Sequence, residues 1–402
     1  MQESWNARLE ELYEQMVDWR REMHKYPELS NEEVRTSAMI AEILTGFGIE
    51  IQTGVGGTGV VGIIRGAKPG KTIALRADFD ALPIQDEKEV AYKSTVPGVM
   101  HACGHDGHTA TLLAVAKVLS EHRDDLSGNV VLLHQHAEEL IPGGARDMIK
   151  DGCLDGVDAV FGTHLWTPEP FGRLAYRKGY IMAATDEFSI KIQGHGGHGS
   201  APHQTVDSIA IGAQLINQLQ LVVSRQIDPL KSAVLTVGTF HAGNAANVIP
   251  DSATLTGTVR SFDKEVRSHI EEEINTIAKN VCAAFHASCE YSYTRGYPAV
   301  YNHEKETDEF IEAIKEGMDE NMLVEVEPVM GGEDFAYYLK EKPGMFFFTG
   351  AGNEKIGANF PHHHPRFDFD ERAMLTAGKA LLSIVFHYLV LQKDRKALEL
   401  NL

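Results

Sequence analysis

The feature that most constrains this fold is a change of rhythm near residue 181 that reverses after Pro298. Before it, short apolar runs alternate with helical segments: TGVVGIIRG, KTIALRAD, a helix from about His108 to Leu119, NVVLLHQHAEE, a helix near Ala145, and DAVFGTHLW. Such alternation predicts helices packed on a largely parallel central sheet. From Thr185 the order becomes strand (DEFSIKIQG), helix (TVDSIAIGAQLINQLQLVVSR), two strands (SAVLTVGTF, ATLTGTVRSF), helix (DKEVRSHIEEEINTIAKNVCAAF) and strand (SCEYSYTRG). That β-α-β-β-α-β series is a complete ferredoxin-like unit. After Pro298 the first pattern resumes, with a helix from about Glu304, a strand LVEVEPVM, the run GMFFFTGAG and a last helix from about Glu371. The expectation is an α/β domain, residues 1–181 and 298–402, interrupted by a smaller α+β domain, residues 182–297. A chain of 402 residues is too long for one small core, which agrees with two domains. At the N-terminus Trp5, Leu9, Leu12, Met16, Trp19 and Met23 recur at steps of four and three and predict one amphipathic helix.

Charge narrows the partners. The chain carries 37 Lys and Arg against 57 Asp and Glu, a formal net charge of −20 that repels the nucleic-acid backbone and anionic membrane surfaces. The N-terminal stretch lacks the uninterrupted apolar core of a signal peptide. The apolar run ALLSIVFHYLVL, Ala380 to Leu391, is too short to span a bilayer and reads as a packed helix. Four cysteines without CxxC spacing fit a reducing compartment. The expected location is the cytoplasm, with neither nucleic acid nor membrane as partner.

Two glycine-rich stretches imitate nucleotide motifs. Gly54, Gly56 and Gly59 in GVGGTG satisfy G-x-G-x-x-G, with Asp78 roughly 20 residues beyond. A strand-like run follows where a dinucleotide site needs a helix N-terminus, so a tight turn between strands is expected instead. GAKPGKT ends like a phosphate-binding loop, but Arg65 stands where its first glycine belongs and TIALRAD follows as a strand.

Residues 101–108, HACGHDGH, concentrate three histidines, a cysteine and an aspartate. Cys103 and His105, one residue apart in an extended loop before a helix, can face one side, and a thiolate with an imidazole suits zinc or another first-row divalent ion. Further donors stand at strand ends, where open α/β sheets place their ligand crevice: Glu138-Glu139 after VVLLHQH, His164 in DAVFGTHLW, and His363 in FPHHHPRFDFDE. Adjacent glutamates allow a division of labour, one coordinating an ion and the other exchanging a proton with the attacking water. That chemistry is metal-assisted hydrolysis.

Nine stretches, in order along nearly the whole chain, resemble the metallo-amidohydrolases that include hippurate hydrolase, N-acyl-amino-acid deacylases and hydrolases of indole-acetyl amino acids, distant relatives of aminoacylase and carboxypeptidase G. They are WRREMHKYPELSNEE, LRADFDALPI, MHACGHDGHTA, HAEE, GTHLW, GGHGSAPH, NVIPDSATLTGTVR, GGEDFAYY and HHHPRFDFDE. The resemblance implies two divalent ions, with zinc, manganese, cobalt and nickel all compatible, held by Cys103, His105, Glu139, His164 and His363. A shift by one to His362 or His364 is open. It makes Glu138 the general base and later the acid, and gives Asp80 the task of orienting a histidine ligand. More distant relatives carry His-x-Asp where this chain has Asp78-Phe79-Asp80. The inserted domain resembles a lid and dimerisation domain, with His198 stabilising the oxyanion of a neighbouring active site and Asn247 and Arg260 holding the substrate carboxylate. A homodimer or higher homo-oligomer through this domain is implied, with a small-molecule N-acyl amino acid as substrate.

The implied activity is hydrolysis of N-acyl amino acids to a carboxylate and the free amino acid. Peptide cleavage by a dipeptidase or carboxypeptidase would use the same donors, and a non-catalytic metal- or ligand-binding protein would use the same fold. Glu138 discriminates, because coordination alone needs no base beside Glu139.

Overall fold

The computed structural model describes residues 1–391, and the chain divides into two compact units. The first comprises Met1–Ile181, Tyr301–Glu327 and the described residues from Asp334 to Leu391; the second comprises Met182–Val300 with Pro328–Glu333. The short segment Pro328–Glu333 groups with the second unit because the carbonyls of Val329 and Gly331 accept the Ala183 N–H at 3.1 and 2.9 Å.

The first unit is built on an eight-stranded sheet in the order Glu50–Val55, Gly59–Arg65, Ser127–Gln135, Lys68–Asp78, Ala159–Pro170, Gly344–Gly352, Leu174–Tyr176, Leu323–Glu325. The four middle strands run parallel, and their near-continuous apolar sequences match burial on both faces. The sheet is mixed, parallel through its middle as expected, with antiparallel pairs to either side. GVGGTG closes an antiparallel hairpin at one edge, and the turn after Pro170 brings Leu174–Tyr176 back antiparallel to Gly344–Gly352. GVGGTG is thus a turn between strands, as expected, and KPGKT lies within the strand Lys68–Asp78.

The N-terminal stripe forms two helices, Gln2–Glu11 and Tyr13–Lys25, instead of one; Leu12 between them stays right-handed, so the buried face continues through Trp5, Leu9, Leu12, Met16 and Met23. These helices pack on His105–Glu121 and Ala373–Phe386, with the Trp5 ring edge-on to Phe386 at 5.3 Å. The last helix begins well before Ala380 and continues as a π-turn, His387–Leu391, so by length and composition alone it could cross a membrane. Its apolarity has another cause: 78% of its most apolar window is buried in the core.

The second unit has the topology that its element order predicts. Its antiparallel sheet runs Ala233–Ala242, Ser252–Ser261, Ala184–Gln193, Ser288–Arg295, and the helices Ser208–Leu221 and Lys264–Ala284 pack on it. Each helix is capped by an aspartate, Asp207 and Asp263, accepting two backbone N–H groups of the first turn. Ile190, Ile192, Leu215, Leu219, Ile270 and Ile274 form the core between sheet and helices.

Candidate metal centre

HACGHDGH is not an extended loop. Gly104 adopts a left-handed conformation (φ 96°), and the helix His105–Glu121 starts immediately after it. His105 therefore stands on the first turn, with His108 one turn further on the same face. Cys103 precedes the turn, buried, its Sγ 3.4 Å from His164 Nε2 and 3.8 Å from His362 Nδ1. His164 lies inside the strand Ala159–Pro170 rather than near its end.

Tautomers follow from the partners. His164 Nδ1 donates to the Leu165 carbonyl at 2.9 Å, leaving the Nε2 lone pair toward Cys103. Burial, then His108 and His362, hold its pKa well below the usual imidazole value, so the ring is neutral. His105 Nδ1 donates to the Asp80 carbonyl at 3.0 Å and to Asp80 Oδ1 at 3.1 Å. Its Nε2 lies 3.6 Å from Asp78 Oδ2, 3.8 Å from Glu139 Oε1 and 4.0 Å from Glu138 Oε2. Burial disfavours the His105 cation, but Asp78 and Asp80 outweigh it and lift the pKa to about 10. Burial, then Glu139 and Glu138, push the Cys103 thiol well above its usual value.

These residues fit a divalent cation. His105 Nε2 is buried and makes no hydrogen bond among the described residues, although three carboxylates crowd it. Cys103, His105 and Glu139 offer donor atoms within 4.8 Å of one another, as do Cys103, His164 and His362. An acidic centre that holds its histidine as a cation when no metal is bound, and in which one thiol belongs to both triads, is suited to replacing protons with metal.

The other expected residues divide by unit. His363, left-handed at φ 65°, donates its backbone N–H to the Ala102 carbonyl and brings Nε2 within 3.3 Å of Glu139 Oε1. Asp80 Oδ2 accepts from Glu139 N at 2.9 Å and from Ser30 Oγ at 2.7 Å. His198, Asn247 and Arg260 lie in the second unit. There His198 pairs with Val248 on a two-stranded ribbon, Gly199 donates to the Asn247 carbonyl, and Arg260 sits on the separate strand Ser252–Ser261.

Several residues near the centre had no role assigned from sequence, and His362 stood there only as an alternative to His363. His362, partly buried and stacked on Trp166 at 4.6 Å, flanks Cys103. Asp78 Oδ1 accepts from His108 Nδ1 at 2.6 Å, and His108 Nε2 accepts the Leu165 N–H at 2.8 Å, which ties the strand beside His164 to the helix of His105. Arg76 holds Asp78 from behind and also binds Asp334. Helical spacing from His105 would have found His108 had the helix start been placed at His105.

A buried cluster of thiol, imidazole and carboxylate groups beside the parallel strands, with a second glutamate next to it, defines a metal-dependent hydrolase. The chain belongs to peptidase family M20/M25/M40, whose profile matches residues 74–387. It is 53% identical over 97% of its length to the Bacillus subtilis protein YhaA, covering 99% of that protein. It is 47% identical over 297 residues to the N-acyl-L-amino acid amidohydrolase of Geobacillus stearothermophilus, covering 74% of this chain and 80% of that one. The crystal structure of Bacillus subtilis YXEP, a dinuclear metal-binding peptidase of the M20 family, superposes with a TM-score of 0.80 at 35% identity, covering 94% of this chain and 98% of the other.

Proposed function

We propose that this protein hydrolyses the amide bond of N-acyl amino acids, releasing a carboxylate and the free amino acid. The observation that carries the reading is the adjacent pair Glu138-Glu139 within 4.0 Å of His105 Nε2, a buried atom with no hydrogen bond among the described residues. Its substrate class is supported by the 47% identity to an N-acyl-L-amino acid amidohydrolase. We infer two divalent ions, held by Cys103, His105, Glu139, His164 and His363; the donor range of Cys103, which reaches His105 with Glu139 on one side and His164 on the other, supports its sharing between them. Thiolate, imidazole and carboxylate donors are compatible with zinc, manganese, cobalt or nickel.

Divalent ions held by these residues would supply Lewis acidity toward the amide carbonyl and would lower the pKa of water to about 7. Glu138 takes the proton of the attacking water as its oxygen bonds to the carbonyl carbon, then passes that proton to the amide nitrogen as the C–N bond breaks. His105 and His164 are held in single orientations by Asp80 and the Leu165 carbonyl, so the donors need no rearrangement. His198 of a second copy donates to the developing oxyanion, while Asn247 and Arg260 take the substrate carboxylate. Four free cysteines support a reducing, cytoplasmic setting.

Metal-stripped protein, assayed with and without added divalent ions on N-acetyl, N-benzoyl and dipeptide substrates, tests the function. Metal-dependent release of amino acid from the acylated substrates is expected; release from dipeptides alone would favour a peptidase, and no release from any would refute hydrolysis of these amides. Mixing inactive His198→Ala and Glu138→Gln proteins tests the dimer. If His198 acts across it, mixed dimers contain one intact site and regain activity; if it acts within one chain, they stay inactive.

A further inference from the structure

We propose that Glu33 is a positioning residue for Glu138, pinning the left-handed turn from which the two glutamates emerge. Glu33 lies in the stretch PELSNEE, far from the metal centre in sequence, and its side chain is fully buried. Its Oε1 accepts the Ala137 N–H at 2.9 Å, and its Oε2 accepts the Thr58 hydroxyl at 2.9 Å. Ala137 has φ 50°, a region that a residue with a Cβ rarely occupies unless its surroundings impose it. The Ala137 carbonyl is also held, by the Gly144 N–H at 3.1 Å.

On the other side of Glu138, the Glu139 N–H is accepted by Asp80 Oδ2, and Ser30 of the same PELSNEE stretch holds that oxygen at 2.7 Å. Glu138 is thus bracketed by two backbone N–H groups, each bound to a buried carboxylate anchored by residues 30–33. Thr58 comes from the GVGGTG turn, which can press this close because it is glycine: a Cβ on Gly57 would stand 3.0 Å from His136 Nε2, and one on Gly56 2.5 Å from Met148 N. Two sequence features with no catalytic chemistry of their own, PELSNEE and GVGGTG, therefore converge on the backbone that aims Glu138. A displacement of about 1 Å in a reacting group can cost roughly 100-fold in rate. The tether is where this chain prevents it.

The inference rests on the reading of Glu138 as the base, and its test has two independent readouts. In the metal-loaded enzyme, Glu33→Ala is expected to keep its metal and its KM within a few-fold while kcat falls about 10- to 100-fold. Glu33→Gln, whose amide oxygen can accept the same N–H, is expected to recover most of kcat. Adding Ala137→Gly to Glu33→Ala is expected to recover part of it, because glycine adopts positive φ without a tether. Should Glu33→Ala not fold, Thr58→Val, which removes one hydroxyl, is expected to lower kcat a few-fold with metal content unchanged. Amide hydrogen exchange at Ala137 reads the tether without turnover: exchange at least about 10-fold faster is expected in Glu33→Ala, or in Thr58→Val in its place, with Ser127–Gln135 still protected. Unchanged exchange at Ala137, or a kcat equal to wild type, would overturn the proposal. Faster exchange in a protein with no metal-dependent hydrolysis would instead uphold the tether and refute the function assigned to Glu138.

Discussion

Burial and two aspartates act in opposite directions on His105, and the aspartates win, so the metal-free centre holds a proton on Nε2 at neutral pH. Cys103 beside it is a thiol for the converse reason, since burial and the glutamates disfavour the thiolate. Metal uptake must expel both. Titrating a divalent ion into metal-stripped protein at pH 7 is expected to release about two protons per centre, read from the buffer dependence of the binding enthalpy, and affinity is expected to weaken as pH falls. Release of no proton would contradict ligation by Cys103 and His105. At this scale the sequence was legible where donors are contiguous: Cys103, His105 and the glutamate pair stand in recognisable strings. It was less legible where backbone conformation decides direction. The left-handed turn at His363 lets adjacent histidines serve differently, His362 against Cys103 and His363 against Glu139, and nothing in HHHP announces that turn.

The second helix shows how an element can carry both core and centre. Tyr13–Lys25 buries Met16 and Met23, yet the same helix buries Arg20, which binds Asp106 at 2.9 Å, Asp368 at 2.9 Å and Glu371 at 3.2 Å. His24, one turn on, donates to the same Asp106, the residue that follows His105. Removing one partner leaves buried charges uncompensated, so Arg20→Ala is expected to cost about 3–5 kcal/mol in thermal or urea unfolding, whereas an exposed pair such as Arg65–Glu50 is expected to contribute under about 1 kcal/mol. Equal effects of the two would contradict the network. The apolar stripe of this helix was plain in sequence, but nothing in the sequence pairs its charged residues with acidic partners some 80 to 350 residues away. The antiparallel edges of the sheet were hidden similarly, since the spacing of apolar runs gives strands and not their directions.

Across the whole molecule, stability should record these buried groups. Burial, reinforced by Asp80, raises the Glu33 carboxyl to about 7 from the 4.5 of an unperturbed glutamate. A raised folded-state pKa stabilises fully below the unfolded value and is lost as pH rises through the folded one. Glu33→Gln does not ionise, so its melting temperature relative to wild type is expected to rise between about pH 4.5 and pH 7 and level off above; a difference independent of pH would contradict the burial of an ionising Glu33. A divalent ion that binds only the folded chain is expected to add about 2.7 kcal/mol at 100 times its Kd. The two-unit order was legible at this scale because the ferredoxin-like series is complete in sequence. Grouping of Pro328–Glu333 with the second unit was not, since it depends on contacts such as the backbone hydrogen bonds of Val329 and Gly331 with Ala183, which no sequence pattern marks.

The most direct test of metal-assisted amide hydrolysis compares metal content and turnover of wild type and Glu138→Gln on an N-acetyl amino acid. Glu138→Gln is expected to bind metal as wild type does and to lose about 100- to 10,000-fold in kcat. A metal-loaded Glu138→Gln protein that turns over at the wild-type rate would contradict the assignment of Glu138 and the mechanism built on it.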